Sequence, residues 1–343
     1  MITPLLSDKE LFSLAETIRQ SSRIVICAHR GPDGDAVGSS LGWAEYLQQL
    51  GKQVQIVLPN PFPDFLRWLP NSHLIQFYAR HEAEANKTIN DADLIFCLDF
   101  NALSRLQDMQ GAVGRSKADK VIIDHHLDPD SNNIKQVISY PEMCSTSEIV
   151  FRLIHQLGGY ERMTRQEATC IYTGMMTDTG GFTYNSNAPE IYEIISLLLG
   201  KGIDKDKIYR NVFNVYSVDR IRLMGYILNE KLEFYAQNKA SMFTLTRSEM
   251  KRFHFIRGDA EGLVNMPLQV KGMRLSLSLR EDTERDVVRV SLRSVDDFPC
   301  NKMAEEFFNG GGHLNASGGE LPFPLSEAVR TAERAIKAYE HLL

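Results

Sequence analysis

No two of the five cysteines in this 343-residue chain (Cys27, Cys97, Cys144, Cys170 and Cys300) stand in a CxxC spacing. That sets aside a disulfide framework, and with Cys27 and Cys97 inside apolar runs it points to buried thiols in a reducing cytosol. Long hydrophobic runs are missing too. Stretches such as IISLLLG fall far short of the roughly 18 residues that a membrane span needs. The start, MITPLLSDKELFSLAETIRQ, lacks the basic opening and sustained apolar stretch of a signal peptide. A cytoplasmic protein with no membrane partner is expected. Nor is there an excess of basic charge: 38 Lys and Arg against 44 Asp and Glu leave a net charge of −6. That argues against a general nucleic-acid coat or an anionic membrane surface. A small phosphorylated substrate stays open, because metal ions can reverse the local field. No internal repeat or low-complexity tract is evident.

What is present is a first half that alternates in the α/β manner. RIVICAH (23–29), QVQIVLP (53–59), DLIFCLDF (93–100) and KVIIDHH (120–126) are short apolar runs bounded by turn signals, and the segment 35–51 carries a helical apolar face. This predicts a parallel sheet flanked by helices, with ligands beyond the carboxyl ends of its strands. Helices are expected over 146–159 and 166–182, and mainly helical chain from 187 to 235. Then the texture changes. SMFTLT (241–246), MRLSLSLRE (273–281) and VVRVSLRS (287–294) alternate at period two, the last two flanking the turn DTERD as a hairpin. KMAEEFF reads as a helix running into the glycine-rich loop NGGGHLNASGG. The expected organisation is a catalytic domain over 1–186, a helical linker over 187–235, and a smaller α+β domain over 236–343.

Four polar clusters end or follow the apolar runs: His29, Asp33 and Asp35; Asp99; Asp124, His125 and His126; and Asp178. Each alone has a plain explanation, such as a helix cap for Asp33 or Asp35. Together, at one sheet edge, carboxylates and imidazoles would repel and desolvate one another unless a counter-charge joined them. Divalent cations supply it. Mixed His and Asp donors without thiolate suit Mn²⁺ or a similar ion, with Mg²⁺ or Co²⁺ as substitutes. Four aspartates can neutralise two dications, one of them bridging ions about 3.5–4 Å apart.

In order, these clusters resemble the four motifs of the DHH phosphoesterase superfamily, which is named for the triplet at 124–126. GGGHLNASGG (310–319) resembles the signature of the DHHA1 domain that accompanies one branch, so the similarity covers nearly the whole chain. The resemblance implies one metal on His29, Asp33 and Asp99 and a second on Asp35, Asp99, His125 and Asp178. Asp99 would bridge, with Asp124 and His126 behind the metals or on the substrate phosphate. It also implies that Gly311, Gly312, His313, Asn315 and Ser317 bind substrate, His313 facing the metals across an interdomain cleft that closes over the substrate. Arg293 and Ser294 would grip a phosphate or nucleotide end, a fork-shaped guanidinium suiting phosphate.

The basic residues Lys271, Arg274, Arg280 and Arg289 are offset by Glu281, Asp282, Glu284 and Asp286. No long nucleic-acid track is therefore expected, and two domains leave no room for an added oligonucleotide-binding barrel. Tyr209, Phe213 and Tyr216 read as helix packing, whereas Phe182 and Tyr184 suit either base stacking or packing under their loop. The architecture most resembles bacterial oligoribonucleases that degrade RNA of a few nucleotides and dephosphorylate adenosine 3′,5′-bisphosphate. Such an enzyme takes a short RNA or nucleotide partner and is expected as a homodimer. The alternative is a phosphodiesterase for cyclic di-AMP or its linear dinucleotide; a catalytically dead nucleotide-binding regulator ranks last, because no ligand is missing.

Overall fold

The computed structural model describes residues 2–235, 239–256 and 258–343. The chain divides into two compact units, one up to Val215 and one from Tyr216. In the first, six strands order as β3-β2-β1-β4-β5-β6. They are β1 Arg23–Ala28, β2 Gln53–Leu58, β3 Gln76–Phe77, β4 Leu94–Leu98, β5 Asp119–Asp124 and β6 Gln136–Ser139. Every neighbouring pair is parallel. The helices are α1 Asp8–Gln20, α2 Gly34–Gln49, α3 Glu82–Asn90, α4 Gln110–Arg115, α5 Thr146–Gln156, α6 Arg165–Asp178, α7 Pro189–Gly200 and α8 Lys205–Phe213.

The unbroken apolar strands have a simple cause. Successive side chains point to opposite faces, and here both faces are covered. Ile24, Ile26, Phe96, Leu98 and Ile123 join a core with α2, α5 and α6. Their neighbours Val25, Cys27, Ile95, Cys97 and Ile122 join a second core with α3 and α4. All five cysteines are buried free thiols. The strand order reverses direction between β1 and β4, which opens a crevice at their carboxyl ends.

Helices α2 and α6 pack backbone to backbone at Gly38. A Cβ built on Gly38 would fall 2.5 Å from the Cys170 carbonyl oxygen and 2.8 Å from the Gly174 nitrogen. Helix α6 was expected to run to 182 but ends at Asp178. The next turn places Gly180, Gly181 and Phe182 at φ of 56°, 76° and 65°, which a right-handed helix cannot continue.

At the other end of α6, Glu167 completes a capping box with Thr164 and is wholly buried. Its Oε2 accepts from Gln49 Nε2 at 2.7 Å, while Oε1 has no partner. Burial pushes its carboxyl up to about 7. A carboxyl raised from 4.5 to about 7 binds protons more tightly when folded, so stability falls as pH rises through that window. The loss has an upper bound of roughly 3 kcal/mol, from 1.36 kcal/mol per pKa unit. Unfolding curves from pH 5 to 8 should show this decline in the wild type and a flatter profile in Glu167→Gln.

The second unit holds α9 Val218–Tyr226, β7 Glu233–Tyr235, β8 Ala240–Leu245, α10 Arg247–Arg252, β9 Leu275–Glu281, β10 Val287–Ser294, α11 Cys300–Phe307, β11 Gly311–His313, β12 Ala316–Pro322 and α12 Leu325–Ala338. Its sheet order is β11-β12-β10-β9-β8-β7, mixed, with only the β8–β9 pair parallel. The expected β9–β10 hairpin is present. One face of the sheet packs on α11 and α12 through Leu277, Val290, Phe308 and Ala332, and Phe243 and Leu245 face α9 through Leu223. The stretch expected as a linker, 187–235, is shared out: α7 and α8 fall in the first unit, α9 and β7 in the second. Ala236, the expected first residue of the C-terminal domain, lies outside the described residues.

GGGHLNASGG differs from expectation. It is a hairpin rather than a loop, Gly311–His313 pairing antiparallel with Ala316–Gly318. A Cβ on Gly310 would fall 1.9 Å from the Gly318 carbonyl and one on Gly319 2.1 Å from the Phe308 carbonyl. Close backbone packing therefore demands these glycines directly.

Candidate metal centre

Six of the predicted ligands meet at the crevice, and each is delivered by a different local device. His29 follows β1 directly, and its Nδ1 lies 3.0 Å from the Arg30 carbonyl. His125 follows β5, and its Nδ1 lies 3.4 Å from the Met143 carbonyl. A carbonyl only accepts, so in the neutral rings Nδ1 carries the proton and Nε2 keeps its lone pair for a metal. Asp33 caps α2, Oδ1 accepting from the Asp35 and Ala36 amides at 3.0 and 3.1 Å. The capping explanation for this residue holds, and it leaves Oδ2 4.0 Å from His29 Nε2.

Asp99 sits at the end of β4 with φ 63°. Non-glycine residues seldom adopt that backbone conformation, which tends to persist where surrounding structure imposes it. It aims the carboxylate both ways: Oδ2 lies 3.4 Å from His29 Nε2 and Oδ1 lies 3.6 Å from His125 Nε2. His125 Nε2 is also 3.5 Å from Asp178 Oδ2, at the last turn of α6. His29, Asp33 and Asp99 form one group of donors that could hold a metal ion, and Asp35, His125 and Asp178 another.

The spacing tests whether such an ion fits. Donors about 2.1 Å from one cation lie between about 3 and 4.2 Å apart, depending on the angle they subtend. Separations of 3.4–4.0 Å lie at or beyond the long end for hydrogen bonds and fall within that range. The electrostatics agree. Burial pushes the Asp99 carboxyl well up, and the charges of Asp35 and Asp33 add to it. Asp178 is raised for the same reasons, and burial also raises Asp35. Burial would lower His125, but Asp99, Asp35 and Asp124 outweigh it and the imidazole is raised. Carboxyls raised by burial and by one another, beside an imidazole raised by the same carboxylates, are groups in want of positive charge.

His126 joins Asp99 and His125 in a third such group. Its Nδ1, however, lies 2.7 Å from Asp124 Oδ1, so that nitrogen donates to a carboxylate and is not a ligand atom. Asp124 is fully buried, and its Oδ2 has no hydrogen-bond partner. An unsatisfied buried carboxylate oxygen is costly, which again favours positive charge nearby.

Sequence reasoning placed the start of α5 at 146 but missed its part in the site. The Thr146 and Ser147 amides donate to Asp35 Oδ2 and Oδ1 at 2.7 and 2.9 Å, and Thr146 Oγ1 donates to Asp99 Oδ1 at 3.0 Å. The signal was legible as STSE at 145–148, a capping sequence that turns helix N–H groups toward an anion. Thr146→Val should weaken metal affinity about 10- to 100-fold, as loss of a partner behind a ligand does. Titrating activity with metal measures it; an unshifted midpoint would refute the role.

In the second unit, Arg293 and His313 both pair with Ala316, one from either side of β12. Directly opposed residues share a face, so the two side chains stand on one face of the sheet about 10 Å apart. Asn315 Nδ2 donates to Ser294 Oγ at 2.9 Å, and Ser317 Oγ donates to the His313 carbonyl at 2.8 Å. These polar side chains fasten the hairpin that carries His313 to the end of β10, which carries Arg293. Arg289 is matched by Asp282 and Glu320, and Arg274 by Asp297, the mixed surface that the charge pattern implied.

Comparison with known proteins is consistent with this geometry. The DHH family, N-terminal domain, matches residues 23–175, and the DHHA1 domain matches 248–341. The chain is 31% identical to the bifunctional oligoribonuclease and PAP phosphatase NrnA of Thermus thermophilus, over 92% of this chain and 89% of that protein. It is 25% identical to the cyclic-di-AMP phosphodiesterase PdeA of Listeria monocytogenes over 95% of this chain, but spans only 49% of that one. The crystal structure of an exopolyphosphatase-related protein from Bacteroides fragilis covers 99% of both chains at 50% identity, with a TM-score of 0.96. Among the described residues, no helix is long and apolar enough to cross a membrane.

Proposed function

We propose, from the premise that this chain belongs to the DHH family and carries its DHHA1 domain, that it is a two-metal phosphoesterase. Its substrates are short oligoribonucleotides, trimmed from an end, and adenosine 3′,5′-bisphosphate. The observation that carries this reading is the divided carboxylate of Asp99, one oxygen toward His29 and the other toward His125. A bridging ligand needs that arrangement. His29, Asp33 and Asp99 would hold one cation and Asp35, Asp99, His125 and Asp178 the other, Mn²⁺ suiting the donor set best. Such ions activate a water for in-line attack on phosphorus and neutralise its oxygens.

The chain's own side chains do the rest. Asp124 fixes the imidazole of His126 through Nδ1 and favours its charged form, so the ring can hold a phosphate oxygen. The helix start at Thr146 and Ser147 keeps Asp35 and Asp99 aimed without taking all their lone pairs. Arg293, Ser294, Gly311, Gly312, His313, Asn315 and Ser317 form the substrate-holding element, with Arg293 and His313 touching the phosphate and the others shaping the hairpin. A reducing cytoplasm, for which five buried free thiols are suited, and a homodimeric state complete the proposal.

The likeness to PdeA supports a second reading, hydrolysis of cyclic di-AMP or its linear dinucleotide. One assay separates them. With Mn²⁺ present, di- to pentaribonucleotides and adenosine 3′,5′-bisphosphate should turn over faster than cyclic di-AMP or pyrophosphate, and Asp99→Ala should turn over none. Turnover of pyrophosphate alone would refute the proposal.

A further inference from the structure

The segment directly after Asp178 is built more rigidly than a connecting turn requires. Thr179 is fully buried; its Oγ1 donates to the Met175 carbonyl at 2.7 Å and accepts from the Phe182 amide at 3.0 Å. The Thr183 and Tyr184 amides both return to the Thr179 carbonyl. Phe182 holds a left-handed conformation at φ 65°, an outlier for a bulky aromatic residue, and its half-buried ring packs on Tyr172 at 5.6 Å. So Phe182 follows the packing reading, as the keel of the loop.

Tyr184 does not. Its side chain lies over Gly180, where a Cβ would come within 2.3 Å of the ring, yet the residue remains 53% exposed. On the other side, a Cβ at Gly181 would meet the Tyr209 ring at 3.5 Å and the Phe213 ring at 3.8 Å. Tyr209 was expected to pack within the helices. It does: its ring leans on Phe213, one turn along α8, at 4.9 Å between centroids, while the residue stays 47% exposed. The glycine pair is thus a shelf against which two phenol rings lie, Tyr184 at Gly180 and Tyr209 at Gly181. Two Cα steps of 3.8 Å put Gly180 within about 8 Å of Asp178, the reach of one nucleoside from a metal-held phosphate.

Half-exposed rings kept in place on a braced shelf fit a flat apolar ligand better than they fit water. We infer that Tyr184 and Tyr209 form a stacking rim for the nucleobase adjoining the phosphate held by Asp178 and its partners. This rests on the phosphoesterase reading and deepens it by naming the side chains that hold the substrate's base. Stacking accepts any base, because each presents a π-face, so the rim selects nucleotides over base-free phosphoesters without reading sequence.

The test compares a 5′-phosphorylated diribonucleotide with the same dimer lacking its bases, both with Mn²⁺. The ratio of kcat/KM for the two should fall about 5- to 150-fold in Tyr184→Ala or Tyr209→Ala, the span of one lost base–aromatic stack. The loss should lie mainly in KM, and Tyr184→Phe and Tyr209→Phe should retain the wild-type ratio, since stacking uses the ring and not the hydroxyl. An unchanged ratio in both alanine variants, or wild-type protein that handles the two dimers equally, overturns the rim while leaving the phosphoesterase reading standing. Wild-type protein that hydrolyses neither dimer overturns both.

Discussion

Asp99→Asn is expected to leave the fold intact and to abolish metal-dependent turnover. Asparagine is the substitution of choice because the backbone at φ 63° suits Asn as well as Asp, so the variant removes charge without adding strain. The amide keeps one acceptor oxygen where the carboxylate has two, and the wild-type oxygens face His29 and His125 separately. At least one cation loses its anchor. Activity should drop by at least about 10²–10³-fold, the cost of a single lost electrostatic contact to a transition state.

Stability gives the complementary readout. Without metal, Asp99 is buried beside Asp35 and Asp33 at a cost, and burial pushes its carboxyl well above the ordinary carboxylate range. In chelator, then, Asp99→Asn should unfold at or above the wild-type temperature. With Mn²⁺ at about 100 times its dissociation constant, the wild type should gain about 2.7 kcal/mol by mass action. The variant should gain clearly less. A variant that matched the wild type in both conditions would show that no cation bridges at this residue.

Gly38→Ala should be nearly as damaging, although residue 38 touches no substrate. The added methyl would fall 2.5 Å from one backbone atom of α6 and 2.8 Å from another, neither of which can swing aside. The helices must separate, at about 3 kcal/mol or more, the upper range for overpacking. Because α2 starts at Gly34, directly before Asp35, and α6 ends at Asp178, the same separation spreads the metal ligands. Small misplacements of reacting groups cost rate steeply. Gly42→Ala is the control. Its methyl would meet the side chain of Ile171 at 2.6 Å, an aliphatic branch that can change rotamer, so a smaller loss of stability is expected. Equal losses at 38 and 42 would contradict the backbone-contact explanation.

The fold of the first unit was legible because a parallel sheet covered on both faces writes itself as apolar runs such as VIID and LIFCLD, each stopping at a polar residue. The missed features have a common character. The α6 terminus depended on left-handed backbone at 180–182, which glycine permits without requiring. The 310–319 segment became a hairpin because Phe308 and Gly318 crowd its glycines, a contact invisible along the chain. Tyr209 packs on Phe213 as expected, but its second contact, with Gly181, joins segments distant in sequence and leaves the residue half exposed.

Residue order alone determined which groups exist to bind cations: short strands deliver their last side chains to one sheet edge, and charge balance there demands positive ions. Only the tertiary structure decided how those groups are used. The splitting of the Asp99 oxygens, the seating of Asp35 on the first amides of α5 and the near contact of α2 with α6 arise between segments distant in sequence. They follow from close packing, which acts across space and leaves no periodic trace along the chain.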